Sequence, residues 1–377
     1  PTAREGPLAV VRSLHEHAWV NGEADNLFWY NTGMAPILTY MILSGDRKPL
    51  ENGVLQQLLR GQEVLISGRI PDQNLNSAAL DFLNKAAYLT GDGRWITYRE
   101  RTGLDTSIFR LGQSFWPDDS IVPQLPLDLV GQWTINPMPK PMWQARGTGF
   151  QLEESFLNGS FRSAPDASGD YILLDGYNGA SRNPYHTYDV LEYRLNGRTL
   201  LQGYMNQVLT SADGMVEPIV PMDGQLLCRE VVGPTALAVG QVPNMPFCGW
   251  RRTIAHRTGQ YGLFVDDLTF HTDSQNMKVS TLWQVASGMW NAKECAVRVQ
   301  APGSAVNLPG WVLWRAPGSK FTTNPPTADK FALLDSLGTV LLRGRAVGEW
   351  LEMPFNVGND VSGELFADML SYNDRGI

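Results

Sequence analysis

The sequence predicts an α+β chain of several domains, helical at its start and antiparallel β afterwards. Three observations lead there. Apolar residues recur at three and four positions from Leu8 to Thr102, a Pro-rich stretch follows, and beyond it the apolar period becomes two. A length of 377 residues also exceeds what one hydrophobic core usually organises.

The helices come first. Met34, Ile37, Leu38, Met41 and Ile42 mark one apolar face, Val54, Leu55, Leu58 and Leu59 a second, and Ala79, Leu80, Leu83, Ala86 and Ala87 a third. Leu43-Ser44-Gly45-Asp46 and Leu89-Thr90-Gly91-Asp92 are alike as helix stops, which suits two helical hairpins that each turn at Gly-Asp. Residues 1–115 are therefore expected as a helical domain. Pro117, Pro123, Pro126, Pro137 and Pro139 remove backbone donors, so 116–140 is expected as a linker. An antiparallel sandwich is expected over 141–322, because Tyr171–Leu174, Leu191–Leu195, Thr199–Leu201, Tyr261–Val265 and Lys278–Trp283 read as strands. Asn196-Gly197 between two of them signals a type I′ hairpin. After Pro325-Pro326, residues 328–377 read as the opening of a further β unit that is cut short.

Composition narrows the function classes. A net charge of −8 argues against a general binder of nucleic acid or anionic membrane. No apolar run is long enough to span a membrane, and Pro1 to Gly6 lack the features of a secretory signal. Cys228, Cys248 and Cys295 show no metal spacing and allow at most one bridge, with Cys228 and Cys248 the expected pair. GxSxG, HExxH and P-loop motifs are absent.

The densest chemical constellation is Arg182-Asn183-Pro184-Tyr185-His186-Thr187-Tyr188-Asp189, just before a strand. It offers a near-neutral base, two phenols and a carboxylate in one loop. Its plainer reading is a turn fixed by Pro184, with Tyr185 and Tyr188 packed on the sandwich and Asp189 capping.

The run from Tyr185 to Leu201, preceded by Gly169 to Leu174, resembles the His-rich strand and hairpin of the heparinase II/III-like polysaccharide lyases. Trp250 to Ala255 followed by Tyr261 to Asp267 is similar to the later strand pair of that family. The resemblance implies a partial α/α toroid joined to a supersandwich-like β domain, and cleavage of a uronate glycan by β-elimination. Asn26 to Gly33 resembles the aromatic, Asn-bearing segment with which toroid lyases grip a uronate.

β-Elimination removes a proton next to a carboxylate, whose charge must first be offset. The residues matched for that work are Asn31, His186, Tyr188 and Tyr185 as catalytic groups. Trp29, Tyr30, His17, Asn183, Arg182, Arg251 and Arg252 are expected to contact substrate. Arg251 and Arg252, adjacent on a strand, must face opposite sides, so one of them at most reaches a cleft. Tyr88 is a fainter base candidate, and His256 and His271 read as turn or surface residues.

Where metal-containing members carry a His-Asp-His zinc set, this chain has Thr187 and Tyr185 before Asp189 and Trp250 in the later position. No metal and no cofactor is expected. The implied partner is an anionic polysaccharide, and the implied location is secreted or periplasmic. Two other functions fit the same residues: a toroid glycoside hydrolase pairing Glu23 or Asp25 with Asp189 or Asp175, or a non-catalytic carbohydrate-binding protein.

Overall fold

A computed structural model describes residues 37–66, 77–101, 119–138, 150–178, 188–202, 206, 208–212, 215–216, 222–243 and 245–271. It also describes short strands at 277–281, 289–291, 296–299, 310–313, 331–334 and 339–342.

Five helices open the described chain: α1 (37–44), α2 (Lys48–Glu51), α3 (Val54–Leu65), α4 (Ser77–Thr90) and α5 (Arg94–Arg101). The two alike stops are built alike. Gly45 and Gly91 take φ of 70° and 67°, the left-handed backbone that ends a helix. Ser44 and Thr90 each donate a hydroxyl to the carbonyl four residues back and accept the amide of Asp46 or Asp92. Each Asp then accepts the amide two residues on, from Lys48 or Arg94, so one motif stops a helix and starts the next.

A five-stranded antiparallel sheet follows, in the order β1 (Trp133–Pro137), β2 (Phe156–Arg162), β3 (Tyr171–Asp175), β5 (Val190–Leu195) and β6 (Arg198–Gln202). The short β4 (Tyr177–Asn178) lies between β3 and β5 in sequence. Asn196 and Gly197, at φ 50° and 71°, form the expected turn from β5 to β6.

After the short strands β7 (Val208–Ala212), β8 (Met215–Val216) and β9 (Met222–Asp223), the second large sheet is a meander of β10 (Gln225–Val232), β11 (Thr235–Val242), β12 (Cys248–Arg257) and β13 (Tyr261–Phe270). Smaller pairings complete the description, among them a hairpin of Phe331–Leu334 with Thr339–Leu342 inside the expected C-terminal β unit.

The five-stranded sheet is covered on both faces, and β2 and β3 are buried along their whole length. Helical residues such as Leu58, Leu83, Ala87 and Trp95 share one core with Leu157, Tyr171, Leu173 and Leu191. The other face gives Phe156, Phe161, Ile172, Val190 and Tyr193 to a second core with Ala236, Ala238, Trp250 and Ile254. The layers are thus helices, sheet, sheet.

Two expectations change here. The stretch 116–140 is not all linker, because Trp133–Pro137 is the edge strand that pairs with β2; Pro123 and Pro126 fall in the approach to it and Pro137 at its last position, where an edge tolerates a missing donor. Cys228 and Cys248 are both free thiols. Cys228 sits opposite Val239, and Val239 opposite Thr253, five positions along β12 from Cys248. Two strand spacings and five residues of rise part the two sulfurs by well over 15 Å or so, against a Cα limit of about 7 Å for a bridge.

Candidate functional site

The face of the large sheet beneath the helices is polar in an ordered way. Register places Asn136, Asn158 and Asp175 in one row and Thr134, Ser160, Leu173 and Glu192 in the next. Arg162, Tyr171 and Arg194 form a third. All are buried.

This seam receives the C-terminal end of α3. The last carbonyls of a helix have no partner within it and carry the negative end of its dipole. Arg162 Nη2 donates to the Glu63 carbonyl at 2.6 Å, and the Tyr171 hydroxyl donates to the Val64 carbonyl at 2.5 Å. The guanidinium groups of Arg162 and Arg194 lie 5.6 and 5.9 Å from the centre of the Tyr171 ring. Arg194 is paired with Glu192 at 2.6 Å.

On the helical side the Glu63 carboxylate accepts the Tyr98 hydroxyl at 2.9 Å and lies 3.3 Å from Arg94 and 3.4 Å from Arg60. Burial raises the Glu63 pKa, and the arginines and Tyr98 offset that only in part. Burial likewise drives the Tyr98 and Tyr171 phenols upward, so both stay protonated donors at neutral pH. These contacts lock the helical layer onto the end of the sheet where β3 begins and β5 ends, and residues 179–187 join β4 to β5 from the opposite end.

Tyr188 and Asp189 close that connection. Tyr188 adopts φ 57° and is 0% exposed, with its ring edge-on to Phe156 and Trp250 at 6.3 and 6.2 Å. A Cβ on Gly240 would lie 2.2 Å from that ring, so only glycine admits it. Expected as a catalytic group in a cleft, Tyr188 is instead a core residue between the two sheets, and burial raises its phenol pKa.

Asp189 is also fully buried. Its Oδ1 accepts the Asn206 amide at 2.8 Å, while Oδ2 has no hydrogen-bond partner among the described residues. Burial pushes its carboxyl up to about 8, against the pull of Arg252 and the backbone hydrogen bonds.

Arg252, expected to contact substrate, is 0% exposed. It grips Asp266 with Nε at 2.7 Å and Nη2 at 3.0 Å, donates to the Asn206 carbonyl at 2.5 Å and stacks 4.6 Å over Trp250. Arg251 faces the other way, as adjacent strand positions must, and is exposed on the side of its sheet remote from the helices. Neither reaches the seam. Tyr88 is 49% exposed on α4. Asn31, Trp29, Tyr30, His17, Arg182, Asn183, Tyr185 and His186 lie outside the described residues.

His256, expected at a turn or surface, is 0% exposed. Its Nε2 meets Asp170 Oδ2 at 2.9 Å, and its Nδ1 lies 3.2 Å from the Tyr193 hydroxyl. Asp170 also accepts the amides of Asn196 and Gly259, both at 2.6 Å, and so pins the β5–β6 and β12–β13 turns together. Burial alone would raise the Asp170 pKa, but the bonds from His256, Asn196 and Gly259 outweigh it and hold the carboxyl below its ordinary range.

Among the described residues no group of three or more His, Cys, Asp or Glu side chains is placed to hold a metal, and no helix is long and apolar enough to cross a membrane.

No protein-family model and no curated protein matches the sequence. Solved structures do match the fold. Heparinase III superposes over 79% of this chain and 48% of its own, with a TM-score of 0.51 and 11% identity. A mutant of the heparan sulfate lyase HepC from Pedobacter heparinus covers 79% and 46%, with a TM-score of 0.49 and 11% identity. The chain spans about half the length of the structures it matches. Helices laid on one face of a stack of antiparallel sheets give this chain a fold like that of the matched part of heparinase III.

Proposed function

We propose that this chain carries a polysaccharide lyase activity that cleaves a uronic-acid-containing glycan, of which heparan sulfate is one, by β-elimination. The observation that supports it is the fold likeness to heparinase III over 79% of the chain.

In this reading the glycan lies along the edge where the helical layer meets the large sheet. Asn31 and Arg182 offset the uronate carboxylate, so that the adjacent C–H becomes acidic enough to lose its proton. His186 and Tyr185 divide the roles of base and acid: one takes the C5 proton, and the other protonates the departing 4-linked oxygen. Electrons of the broken C–H bond form the new double bond as the C–O bond breaks. Trp29, Tyr30, His17 and Asn183 contact the sugar. Tyr188 and Arg252 serve as anchors behind this loop rather than as reactive groups, because both are buried and Arg252 is paired. Such an enzyme meets its substrate outside the cytoplasm, hence a secreted or periplasmic location.

The test is incubation with a panel of uronate glycans while ultraviolet absorbance is followed. A lyase generates absorbance from its unsaturated product. New reducing ends without absorbance would indicate a hydrolase, and binding without either product would indicate a carbohydrate-binding protein.

A further inference from the structure

The polar seam contains more donors and acceptors than its protein partners satisfy. Asn158 and Gln62 are both 0% exposed, and neither atom of either amide has a hydrogen-bond partner among the described residues. The same holds for Thr134 Oγ1 and Arg162 Nε. These residues belong to one region. Asn158 sits opposite Asn136, and Thr134 opposite Ser160 on the same sheet face. Gly61 of α3 brings the helix so near that an added Cβ would lie 2.9 Å from the Asn136 side chain. Gln62 is the next residue on that buried helix end.

Six unmet buried polar atoms, left dry, would consume a stability margin typical of a whole domain. We propose that this interface binds a cluster of ordered internal water molecules, held by the Asn158 and Gln62 amides, the Thr134 hydroxyl and Arg162 Nε. The chemistry of the set selects water. Amides and a hydroxyl both donate and accept, whereas a cation would find no carboxylate among the unmet atoms. A bulky ligand would find no route to groups exposed by 7% or less. Polar cavities of this kind hold water, and apolar ones stay dry. The Asn158 side of the cluster lies at the end of the sheet where Asp175, opposite Asn158, donates its amide to the Asp189 carbonyl at 3.0 Å.

A crystal structure of the full chain, at a resolution that shows water, tests this. Density for at least two waters bridging Asn158 to Thr134, Gln62 or Arg162 is expected. Amides bonded directly to protein groups, with no water between them, would overturn the proposal. Denaturant unfolding of Thr134→Val and Asn158→Leu gives a second readout. A hydrated site predicts a lower midpoint for both, since each removes a water ligand and strands the others. A dry site predicts a higher midpoint, because an unmet polar group is replaced by an apolar one.

Discussion

Replacing Asp189 with Asn should stabilise the protein, and by an amount that grows with pH. The carboxyl titrates near 3.8 in the unfolded chain and near 8 in the folded one, because burial disfavours its charge. Between those values the native state holds a proton that the unfolded state has lost, so stability falls as pH rises. Each pH unit is worth about 1.4 kcal/mol, which sets an upper bound on the order of 5 kcal/mol across the gap. Asp189→Asn keeps an oxygen to accept the Asn206 amide, and it places a neutral NH2 where Oδ2 has no partner. Urea unfolding at intervals from pH 4 to 8 measures the difference between variant and wild type. Near pH 4 the two should coincide, and the variant should gain steadily above that. A difference that stays constant with pH, or a variant that loses stability as pH rises, would refute the reasoning.

Asp170→Asn should act with the opposite sign. Its folded pKa is depressed, so its contribution is present above the ordinary carboxylate range and fades as pH falls through the folded value. The variant should be less stable by about 2–3 kcal/mol at pH 7, as expected for lost bonds to a charged acceptor. In acid-unfolding curves the gap should close below pH 4 or so. Gly240→Ala forces a methyl group into the Tyr188 ring and should cost about 1–3 kcal/mol or more, read as a lowered thermal midpoint.

Much of the fold was legible because it rests on local signals. Paired Ser/Thr-Gly-Asp stops, Asn196-Gly197 and the change of apolar period each act within a few residues. The buried seam was not legible, for a physical reason. Asn158, Ser160 and Arg162 alternate with apolar positions, which in one sequence reads as a strand with a solvated face. Here helices cover that face, and a long-range partner, the Glu63 carbonyl 99 residues away, accepts from Arg162. His256 was misread likewise, since its partner Asp170 is 86 residues away. Tyr188 and Arg252 carry the residue types a lyase site needs, but residue type does not disclose burial. One available signal was Asp170, set directly before the apolar strand Tyr171–Asp175, a carboxylate that needs a partner once the strand is buried.

The central claim is elimination on a uronate glycan, and the mass of the products tests it most directly. Digestion of heparan sulfate and other uronate polymers should release fragments whose newly formed non-reducing ends carry an unsaturated uronate and which are one water lighter than their hydrolytic counterparts. Fragments that carry the added water, or intact polymer after incubation with folded protein, would contradict it.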